Sequence, residues 1–565
     1  MSVRRYLGLQ TVDQRDSRSW TGLSVLWGAA LALLLCRHFF LLPADMFFQN
    51  HDDNTYLVRL IEFRDCLANG YLSPQWCTNF RSGLGSPYFG YYQPGVFYAA
   101  SLLPSSLAPV GQFGCVTVAF AVLGYISMWG LVRRHFDGVS AVLAGTLLLT
   151  SSYSGTDLYI RGDFSEFAAT MLLAALLFFL DWSLEESKRR AVIGVAACGA
   201  GLVVMHPCVA LAGYGVSVAF VVFTSFWNRR WRAGVRAAFG LAAGVGMASF
   251  YWMPVLLEWD YISAEGAFSG FFHYSNHFLS LNDIFGFDVT PTVIPVKVGL
   301  VATCVLAGAA AACAIAWRRL VPQQRRIALA TLLAALGCLF LMNRTSAPVW
   351  EALTLLQRLQ FPWRLFSVLG VATAIAGGVV AGALPSRLKF LTAAVLVVTA
   401  TVLMVANTRV TLVPARVPQT AAHIRDSFFA PDISNDEWLP KGAKAGEVGP
   451  EQRQAVAGPN ANVRGFRMAQ GLLECQVRAE KDSYVIIPHY FFPVGWSARV
   501  DDQPVTLRAN HVGLMRVDLP AGTKGTLQLR FTMTPMRRLG WAITLVTGIC
   551  SLVMVWLASR GRFKL

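Results

Sequence analysis

Long apolar runs recur along the chain, and short polar or charged segments separate them. Each run contains roughly 16 to 23 residues, close to the ~20 that an α-helix needs to cross ~30 Å of hydrocarbon. The weakest pair is 190–227, where only His206-Pro207 marks a turn between two short segments. The pattern predicts twelve transmembrane helices over residues 20–42, 112–132, 138–153, 165–182, 190–205, 207–227, 234–256, 298–317, 326–343, 366–383, 388–408 and 539–559.

The stretch between the first two runs, residues 43–111, is too long to be a simple connector. Apolar residues at helical spacing from Asp53 to Ala68 predict an amphipathic helix that lies along the membrane interface. Residues 94–107 are also apolar, but counting them as a span would invert the orientation of every later loop. We therefore expect them to be interfacial or re-entrant.

The hydrophobic pattern changes at about residue 409, where long apolar runs give way to short segments. Residues 483–488 and 526–532 have the composition of β-strands, and 495–503 indicates a strand that enters a tight turn. The chain is thus predicted to be a polytopic α-helical membrane protein with a C-terminal β-sandwich. The expected domains are a transmembrane domain at 1–408, an extracytoplasmic β-rich domain at 409–536, and a final transmembrane helix with its tail at 537–565.

Composition supports a membrane protein and excludes an ordinary soluble one. Of the 565 residues, 55% are hydrophobic and 14% are charged, and the mean hydropathy is +0.48. The net charge of +16 does not indicate a nucleic-acid partner, because the basic clusters all fall on one side of the twelve-helix trace. That side is expected to be cytoplasmic and to hold both termini. The excess of Arg over Lys is typical of a GC-rich bacterium, so the expected location is a bacterial inner membrane.

Two adjacent carboxylates follow the first apolar run, in the sequence His51-Asp52-Asp53. The predicted topology places them outside the cytoplasm, at the lip of the first helix. Outer loops are often merely polar and interfacial, which is the alternative to a functional site. A carboxylate near a hydroxyl can act as a general base, and burial or a like-charged neighbour tunes its pKa. We therefore treat Asp52 and Asp53 as candidate catalytic residues.

Further charges lie at the outer ends of later helices. Asp157, Arg161, Asp163 and Glu166 occupy a short outer loop, where charges are costly and usually face a cavity or a partner. A local pair between Arg161 and Asp163 or Glu166, which only closes the loop, is the alternative. Arg364 begins another span, where it either extends towards water or binds an anionic headgroup.

These residue types suit the attack of an acceptor hydroxyl on a sugar that is linked to a lipid phosphate. Arg can hold a phosphate with two parallel hydrogen bonds. Nucleotide fingerprints and Ser/His/Asp triads are absent from the sequence, which disfavours nucleotide-sugar chemistry. The candidate donor-phosphate ligands are Arg161, Arg364, Arg81 and Lys297. The candidate substrate contacts are His51, Tyr56, Arg59, Tyr91, Tyr92, Asp163, Glu166 and His273.

Cys66 and Cys77 share the first outer loop and are a candidate disulfide, with two unpaired thiols as the alternative. Cys475, in the β-rich region, is expected to be free. His273 and His277 are four residues apart and would share a helix face suited to a metal. Their segment is rich in Gly, Ser and Asn, so we do not expect a helix, a metal site or any other cofactor there.

The sequence Asp52-Asp53-x-x-Tyr56 resembles the Asp-Asp/Glu-x-x-Tyr/His signature of GT-C glycosyltransferases. More narrowly, the chain resembles the bacterial membrane families labelled YfhO-like and "6-pyruvoyl-tetrahydropterin synthase-related". The matching motifs are Asn69-Gly70-x-x-x-Pro74-x-Trp76, Gly83-x-Gly85-x-Pro87, Tyr91-Tyr92-x-Pro94, Arg161-Gly162-x-x-x-Glu166, His206-Pro207, Phe361-Pro362-x-Arg364 and Gly495-Trp496-x-x-x-Val500-Asp501. They run in order over nearly the whole chain.

The resemblance implies an inverting enzyme that transfers sugar from a polyprenyl-phosphate donor to a hydroxyl of an extracytoplasmic glycan or lipid, with membrane lipids around it. It assigns the base role to Asp52, with Asp53 as its neighbour or alternative. Oligosaccharyltransferases of this fold bind a divalent metal through further outer-loop carboxylates, a role open to Asp163 and Glu166. Relatives that use phosphate-monoester donors work without a metal, and we expect none here.

Two other functions are compatible with part of the pattern. A lipid or polysaccharide transporter would place its charged groups deep within the spans, near the midplane. This sequence instead places most of its outer charge at helix ends, which favours the enzyme. A non-catalytic scaffold that presents the β-rich domain would make Asp52 and Asp53 dispensable.

Overall fold

The computed structural model describes residues 17–43, 46–52, 55–186, 189–285, 299–415, 420, 424, 438–448 and 454–559. The longer helices are α1 Ser17–Leu35, α2 Thr55–Ala68, α3 Pro109–Arg133, α4 Gly138–Leu149, α5 Phe164–Glu186, α6 Arg189–Met205, α7 Pro207–Asn228, α8 Trp231–Met247, α9 Ser249–Leu257, α10 Gly299–Ala316, α11 Pro322–Met342, α12 Phe366–Ala383, α13 Ser386–Asn407 and α14 Pro535–Ser559. The shorter ones are His38–Leu41, Tyr88–Tyr91, Gly95–Ser101, Ser152–Gly155, Leu281–Phe285, Ala347–Ala352 and Thr354–Gln357.

All twelve predicted spans coincide with helices, but twelve crossings of a membrane are not established. Over the described ranges, seven helices are long and apolar enough to cross, and the bent pair α8–α9 makes eight. The pair bends by 68°. The other apolar helices are shorter; α4, for example, has 12 residues. A 12-residue helix is only ~18 Å long, so it cannot cross the hydrocarbon layer alone.

Helix α5 is the centre of the bundle. Within its apolar window, 94% of the residues are buried by the rest of the protein, against 17% for α13 and 11% for α14. Apolar residues on α13 and α14 therefore face outwards, as expected for helices in contact with lipid. Of the functional candidates, Asp163 directly precedes α5 and Glu166 lies in its first turn, so the site is built at the start of the most buried candidate span.

The C-terminal region is a β-sheet region, as predicted. Its strands are β3 Val456–Ala457, β4 Ala461–Ala469, β5 Leu472–Ala479, β6 Ser483–Tyr490, β7 Trp496–Val500, β8 Gln503–Pro504, β9 Leu507–Ala509, β10 Leu514–Leu519 and β11 Lys524–Phe531. They form two sheets of antiparallel pairs, in the orders β3-β6-β10-β9 and β4-β5-β11-β7-β8. Alternating residues of both sheets are buried in one hydrophobic cluster. The strands predicted at 483–488 and 526–532 lie within β6 and β11.

The first outer loop is packed between the helices and the β-sheet region. Trp76 belongs to the hydrophobic cluster of the sheets and donates a hydrogen bond to Nε2 of His489 at 2.7 Å. A further antiparallel pair joins β1 Met46–Phe48 to β2 Leu412–Pro414. Helix α2 matches the predicted amphipathic helix, but eight of its 14 residues are buried. It is therefore covered by protein and does not lie exposed along the membrane interface.

Candidate active site

Backbone hydrogen bonds connect the end of the first outer loop to the second one. The N–H groups of His51 and Asp52 donate to the carbonyl oxygens of Ile160 and Arg161 at 3.0 and 3.1 Å. The carbonyl oxygen of Asp52 accepts the N–H of Thr55 at 2.9 Å, so Asp52 lies at the start of α2. Its position is thus set by two different segments. Asp52 as a whole residue is half-buried.

The second outer loop has an unusual backbone. Residues Thr156–Arg161 form a π-helix, a rare conformation that occurs frequently at functional sites. Gly162 then adopts the left-handed conformation with φ of 75°, and a Cβ placed there would lie 2.5 Å from Oδ1 of Asn50. Only glycine satisfies both conditions. This turn brings Arg161 back towards the first residues of α5.

Arg161 is the centre of a buried ion cluster. Its guanidinium lies 2.6 Å from Asp157, 3.2 Å from Asp163 and 2.7 Å from Glu166. Its cationic face lies 4.8 Å from the centre of the Trp363 ring. All three carboxylates are nearly inaccessible to solvent. Because isolated charges are very costly to bury, each of these groups depends on the others for compensation.

His206 and Arg364, which come from other elements, border the cluster. His206 Nε2 lies 3.5 Å from Asp163 and from Glu166, while its Nδ1 accepts the N–H of Val209 at the start of α7. Because Nδ1 is the acceptor, the ring proton is on Nε2 and points towards the carboxylates. Arg364 Nε is 3.5 Å from Glu166. Its Nη1 instead donates to neutral acceptors, including the carbonyl oxygen of Leu359 at 2.9 Å.

Aromatic residues connect α2 to this cluster. The Tyr56 hydroxyl donates to Asp163 at 3.0 Å and accepts from the Tyr92 hydroxyl at 3.1 Å. The Arg59 guanidinium lies over the rings of Tyr88 and Tyr92, with 5.0 and 4.9 Å to their centres. These contacts place a cation and several aromatic faces beside Asp52.

The surroundings of Asp52 raise the pKa of its carboxyl group. Burial is the main cause and Asp163 adds to it, while Arg59, Arg161 and Arg364 oppose it, and the resulting pKa is about 6. Asp163 differs, because His206 and Arg161 overcome the effect of burial and hold its pKa well below the usual range. The two carboxyl groups therefore differ in protonation: Asp163 stays ionised, while Asp52 can exchange a proton near neutral pH.

Several predicted site residues lie elsewhere. Tyr91 donates to the carbonyl oxygen of Glu258 at 2.7 Å and belongs to the hydrophobic cluster of the β-sheet region, so it is not part of this site. His273 bonds Ser275 at 2.7 Å in a loop of 3-10 turns, which replaces the helix face that a metal pair with His277 would require. Asp53 and Lys297 fall outside the described residues.

Arg161 does not have the surroundings expected of a donor-phosphate ligand. It is enclosed by three carboxylates, so the local pairing given as the alternative is what the structure contains. Arg81 is buried in a left-handed conformation with φ of 55°. Arg364 keeps neutral hydrogen-bond partners beside the cluster.

The sequence did not indicate His206, Tyr88 or Trp363 as site residues. The sequence indicates His206 only as a turn and as part of a family motif, although Pro207 after it is typical of the first position of a helix. Tyr88 and Trp363 carry no signal of their own in an aromatic-rich chain.

Asp163, Glu166 and His206 meet the distance requirement for a shared metal, since their ligating atoms lie within 4.8 Å of one another. The same oxygens already face the guanidinium of Arg161, and the Nε2 proton of His206 points at them. A cation of the chain therefore fills the role that a metal would have. The arrangement does not fit a metal ligand set.

The predicted disulfide is not formed in this structure. Cys66 and Cys77 are both buried free thiols, although their Sγ atoms lie within 4.8 Å of each other. Cys475 is also free, as expected.

Comparison with known proteins identifies the family. Residues 89–413 match the family described as "6-pyruvoyl-tetrahydropterin synthase related domain; membrane protein". The chain belongs to this family of membrane proteins. The match covers more than half of the chain and confirms the resemblance drawn from its motifs. No curated protein matches the sequence.

Two solved structures are among those similar to this chain. The mycobacterial arabinofuranosyltransferase AftD has 18% identity and a TM-score of 0.43, over 69% of this chain and 26% of that one. The oligosaccharyltransferase of Archaeoglobus fulgidus in the apo form has 13% identity and a TM-score of 0.46, over 69% of this chain and 56% of that one. The chain thus matches about a quarter of the first protein and about half of the second.

The ion cluster predicts that Arg161 is required for folding. Replacing Arg161 with Ala leaves three buried carboxylates without their common partner, so the free energy of unfolding should fall by about 3–5 kcal/mol. Arg344, which is exposed at the end of α11, provides the matched control. Thermal unfolding in detergent should show a large decrease for Arg161→Ala and little change for Arg344→Ala. A stable Arg161→Ala protein that has lost only donor binding would contradict this role.

Proposed function

We propose that this protein is an inverting glycosyltransferase of the GT-C type. It would transfer a sugar from a polyprenyl-phosphate donor to a hydroxyl of an extracytoplasmic glycan or lipid, as in the modification of cell-envelope polysaccharide or lipopolysaccharide. The observation that carries the proposal is the position of Asp52. The residue is half-buried at the junction of two outer loops, and its carboxyl group has a pKa of about 6, with Arg59, Arg161 and Arg364 close enough to affect it. No cofactor is required by this chemistry.

In the proposed reaction, Asp52 removes the proton of the acceptor hydroxyl. The acceptor oxygen attacks the anomeric carbon on the face opposite the phosphate, which inverts its configuration. The bond between the anomeric carbon and the phosphate oxygen breaks, and the polyprenyl phosphate leaves with the electron pair. The phosphate is stable as an anion, so the step needs charge stabilisation more than a strong general acid. Asp53 is the neighbour or alternative base.

The phosphate site is proposed to lie at Arg364. Its Nη1 bonds neutral acceptors, so an approaching phosphate would gain a cation without displacing an existing short ion pair. Helices α2, α5 and α7 all begin at this end of the bundle, at Thr55, Phe164 and Pro207. Helix N-termini carry partial positive charge and favour anions. The Arg364 cation and the helix N-termini therefore both favour the binding of an anionic headgroup at this site.

The remaining cluster residues are proposed to position Asp52 and to line the substrate site. Asp163 and Glu166 are held by Arg161, and Tyr56 is held by Asp163, so these three act as positioning residues. Tyr92 and Arg59 present an aromatic and cationic wall next to Asp52. Aromatic faces are common partners of the apolar faces of sugar rings, and this wall is a suitable place for the transferred sugar.

The charges at the two ends of α5 support an outward-facing site. Asp181 near the end of α5 pairs with Arg134 and Arg326 at 2.8 and 2.7 Å. It is 15 residues beyond Glu166, or ~22 Å along the helix axis. The basic end is the one that the positive-inside rule assigns to the cytoplasm. The opposite end, with Asp52, would then face the periplasm or exterior of a bacterial inner membrane, with both termini in the cytoplasm.

The base assignment predicts the effect of isosteric substitution. Asp52→Asn cannot accept a proton and should reduce sugar transfer by about 10²- to 10⁴-fold. Asp53→Asn should reduce it less. Transfer from a synthetic polyprenyl-phosphate sugar to membrane acceptors, measured on protein with unchanged thermal stability, tests this. Full turnover by the Asp52→Asn/Asp53→Asn double variant would refute the proposal and favour a scaffold.

The pKa of Asp52 predicts that the rate of sugar transfer decreases at acidic pH. A general base works only when it is deprotonated, so kcat/KM should rise with pH and reach half of its plateau near pH 6. An ordinary exposed aspartate would give a midpoint near 4. The profile of kcat/KM between pH 4.5 and 8, with stability checked at each pH, distinguishes the two. A rate that does not vary with pH over this range would exclude Asp52 as the base.

The phosphate site predicts a specific effect at Arg364. Arg364→Lys keeps the charge but loses the two-pronged geometry, so donor affinity should fall while folding is retained. Lipid-donor binding in detergent, with Arg358→Lys as the matched control from the same segment, measures this. Normal donor binding by Arg364→Lys would move the phosphate site to another cation, Lys297 or Arg81.

A further inference from the structure

A second cluster of chemically reactive side chains lies further along α2. Glu62 and Cys66 are one helical turn apart and therefore share a face of the helix. Cys77 approaches them from the following loop, where two hydrogen bonds of 2.8 and 3.1 Å between the backbones of Cys77 and Ser86 hold it. The ligating atoms of Glu62, Cys66 and Cys77 lie within 4.8 Å of one another, and none of the three side chains is accessible to solvent.

The β-sheet region contributes a fourth residue to this cluster. Gln470, in the turn between β4 and β5, is buried and donates from Nε2 to Cys66 Sγ at 2.8 Å and to the carbonyl oxygen of Trp76 at 2.7 Å. Its amide also hydrogen-bonds Glu62. Its Oε1 atom is buried and has no hydrogen-bond partner. A buried acceptor of this kind is costly unless a donor or a cation satisfies it.

The charges in the cluster are also unbalanced. The Glu62 carboxylate accepts from the backbone N–H and the side-chain amide of Asn79 at 3.2 and 2.9 Å, and both donors are neutral. Throughout the described chain, no Lys, Arg or His forms an ion pair with it. Asp65 adds a second negative charge nearby. This contrasts with Asp163, Glu166 and Asp181, which are all paired with arginine.

We propose that Glu62, Cys66 and Cys77 bind a divalent metal ion of the zinc class, with the Gln470 amide donating a hydrogen bond to the ligand Cys66. Two thiolates and a carboxylate are a donor set that suits Zn²⁺ and disfavours Mg²⁺ and Ca²⁺, which take oxygen ligands. Binding releases the protons of both thiols, so the ion is held without a change in the net charge of the cluster, and the Glu62 carboxylate gains a directly bound cation. The backbone N–H of Phe89, which hydrogen-bonds Cys77, stabilises the resulting thiolate.

The role of this metal is structural. Glu62 is ten residues beyond Asp52, or ~15 Å along a helix axis, so the ion does not reach the reacting atoms. It joins α2 to the loop that holds Cys77, and Gln470 of the β-sheet region hydrogen-bonds the ligand Cys66. The helix that begins beside Asp52 is thereby fixed to both. This proposal does not depend on sugar transfer, and the two proposals are tested by separate measurements.

Metal analysis of the purified full-length protein tests the site. Protein purified in detergent without chelators should contain a stoichiometric amount of zinc by mass spectrometry of the elements. Cys77→Ser and Glu62→Gln should lose it, whereas Cys475→Ser, at a buried cysteine of β5, should keep it. After replacement by Co²⁺, wild type should show thiolate-to-metal charge-transfer absorption that Cys77→Ser lacks.

Alkylation of the thiols in the wild-type protein tests the metal site without any variant. Unfolding the protein in denaturant with a chelator should release a stoichiometric amount of zinc, measured with a colorimetric indicator, and alkylation should then label both Cys66 and Cys77 without a reductant. Labelling only after reduction would show a disulfide and overturn the proposal. Labelling of both thiols without a reductant, but with no release of metal, would overturn it as well.

Discussion

The buried ion cluster around Arg161 is the interaction on which the outer end of this protein depends. A guanidinium with three carboxylates can be stable away from water only if each charge meets its partners at short distance. That requirement explains the local backbone: a π-helix supplies Asp157 and Arg161, and the left-handed Gly162 turns the chain so that Asp163 and Glu166 reach the same cation. The backbone conformation of residues 156–162 and the ion cluster therefore stabilise each other.

The same cluster determines where Asp52 lies. The carbonyl oxygens of Ile160 and Arg161, at the end of the π-helix, accept the N–H groups of His51 and Asp52. Tyr56 on α2 then donates to Asp163, so α2 is fixed to the cluster by a side chain as well. Asp52 is held by its backbone in this way, and among the described residues its carboxylate forms no ion pair within 4 Å. Its raised pKa is a consequence of that arrangement.

The secondary structure could be predicted largely from local patterns, because apolar runs and alternating strands are properties of neighbouring residues. The helix predicted from Asp53 to Ala68, which the structure has at Thr55–Ala68, and the strands near 483 and 526 are of this kind. The function of Arg161 could not be decided in this way, since a phosphate ligand and a local ion pair require the same residue types. Only the three-dimensional positions of the three carboxylates distinguish them.

Long-range contacts could not be predicted from the sequence either. Trp76 was noted as part of a motif, but its hydrogen bond to His489 joins residues 413 positions apart and leaves no periodic signal. The burial of α2 is also a tertiary contact, because its apolar residues pack in the helical core against Phe97 and Phe113. An amphipathic helix has the same pattern whether lipid or protein covers its apolar face.

The most direct test of this account is an experimental structure with a non-transferable polyprenyl-phosphate sugar bound. The account predicts phosphate density within hydrogen-bonding distance of Arg364 and the anomeric carbon of the sugar facing the Asp52 carboxylate, with Arg161 still surrounded by its three carboxylates. Phosphate density bound to Arg161, or a sugar placed away from Asp52, would contradict it.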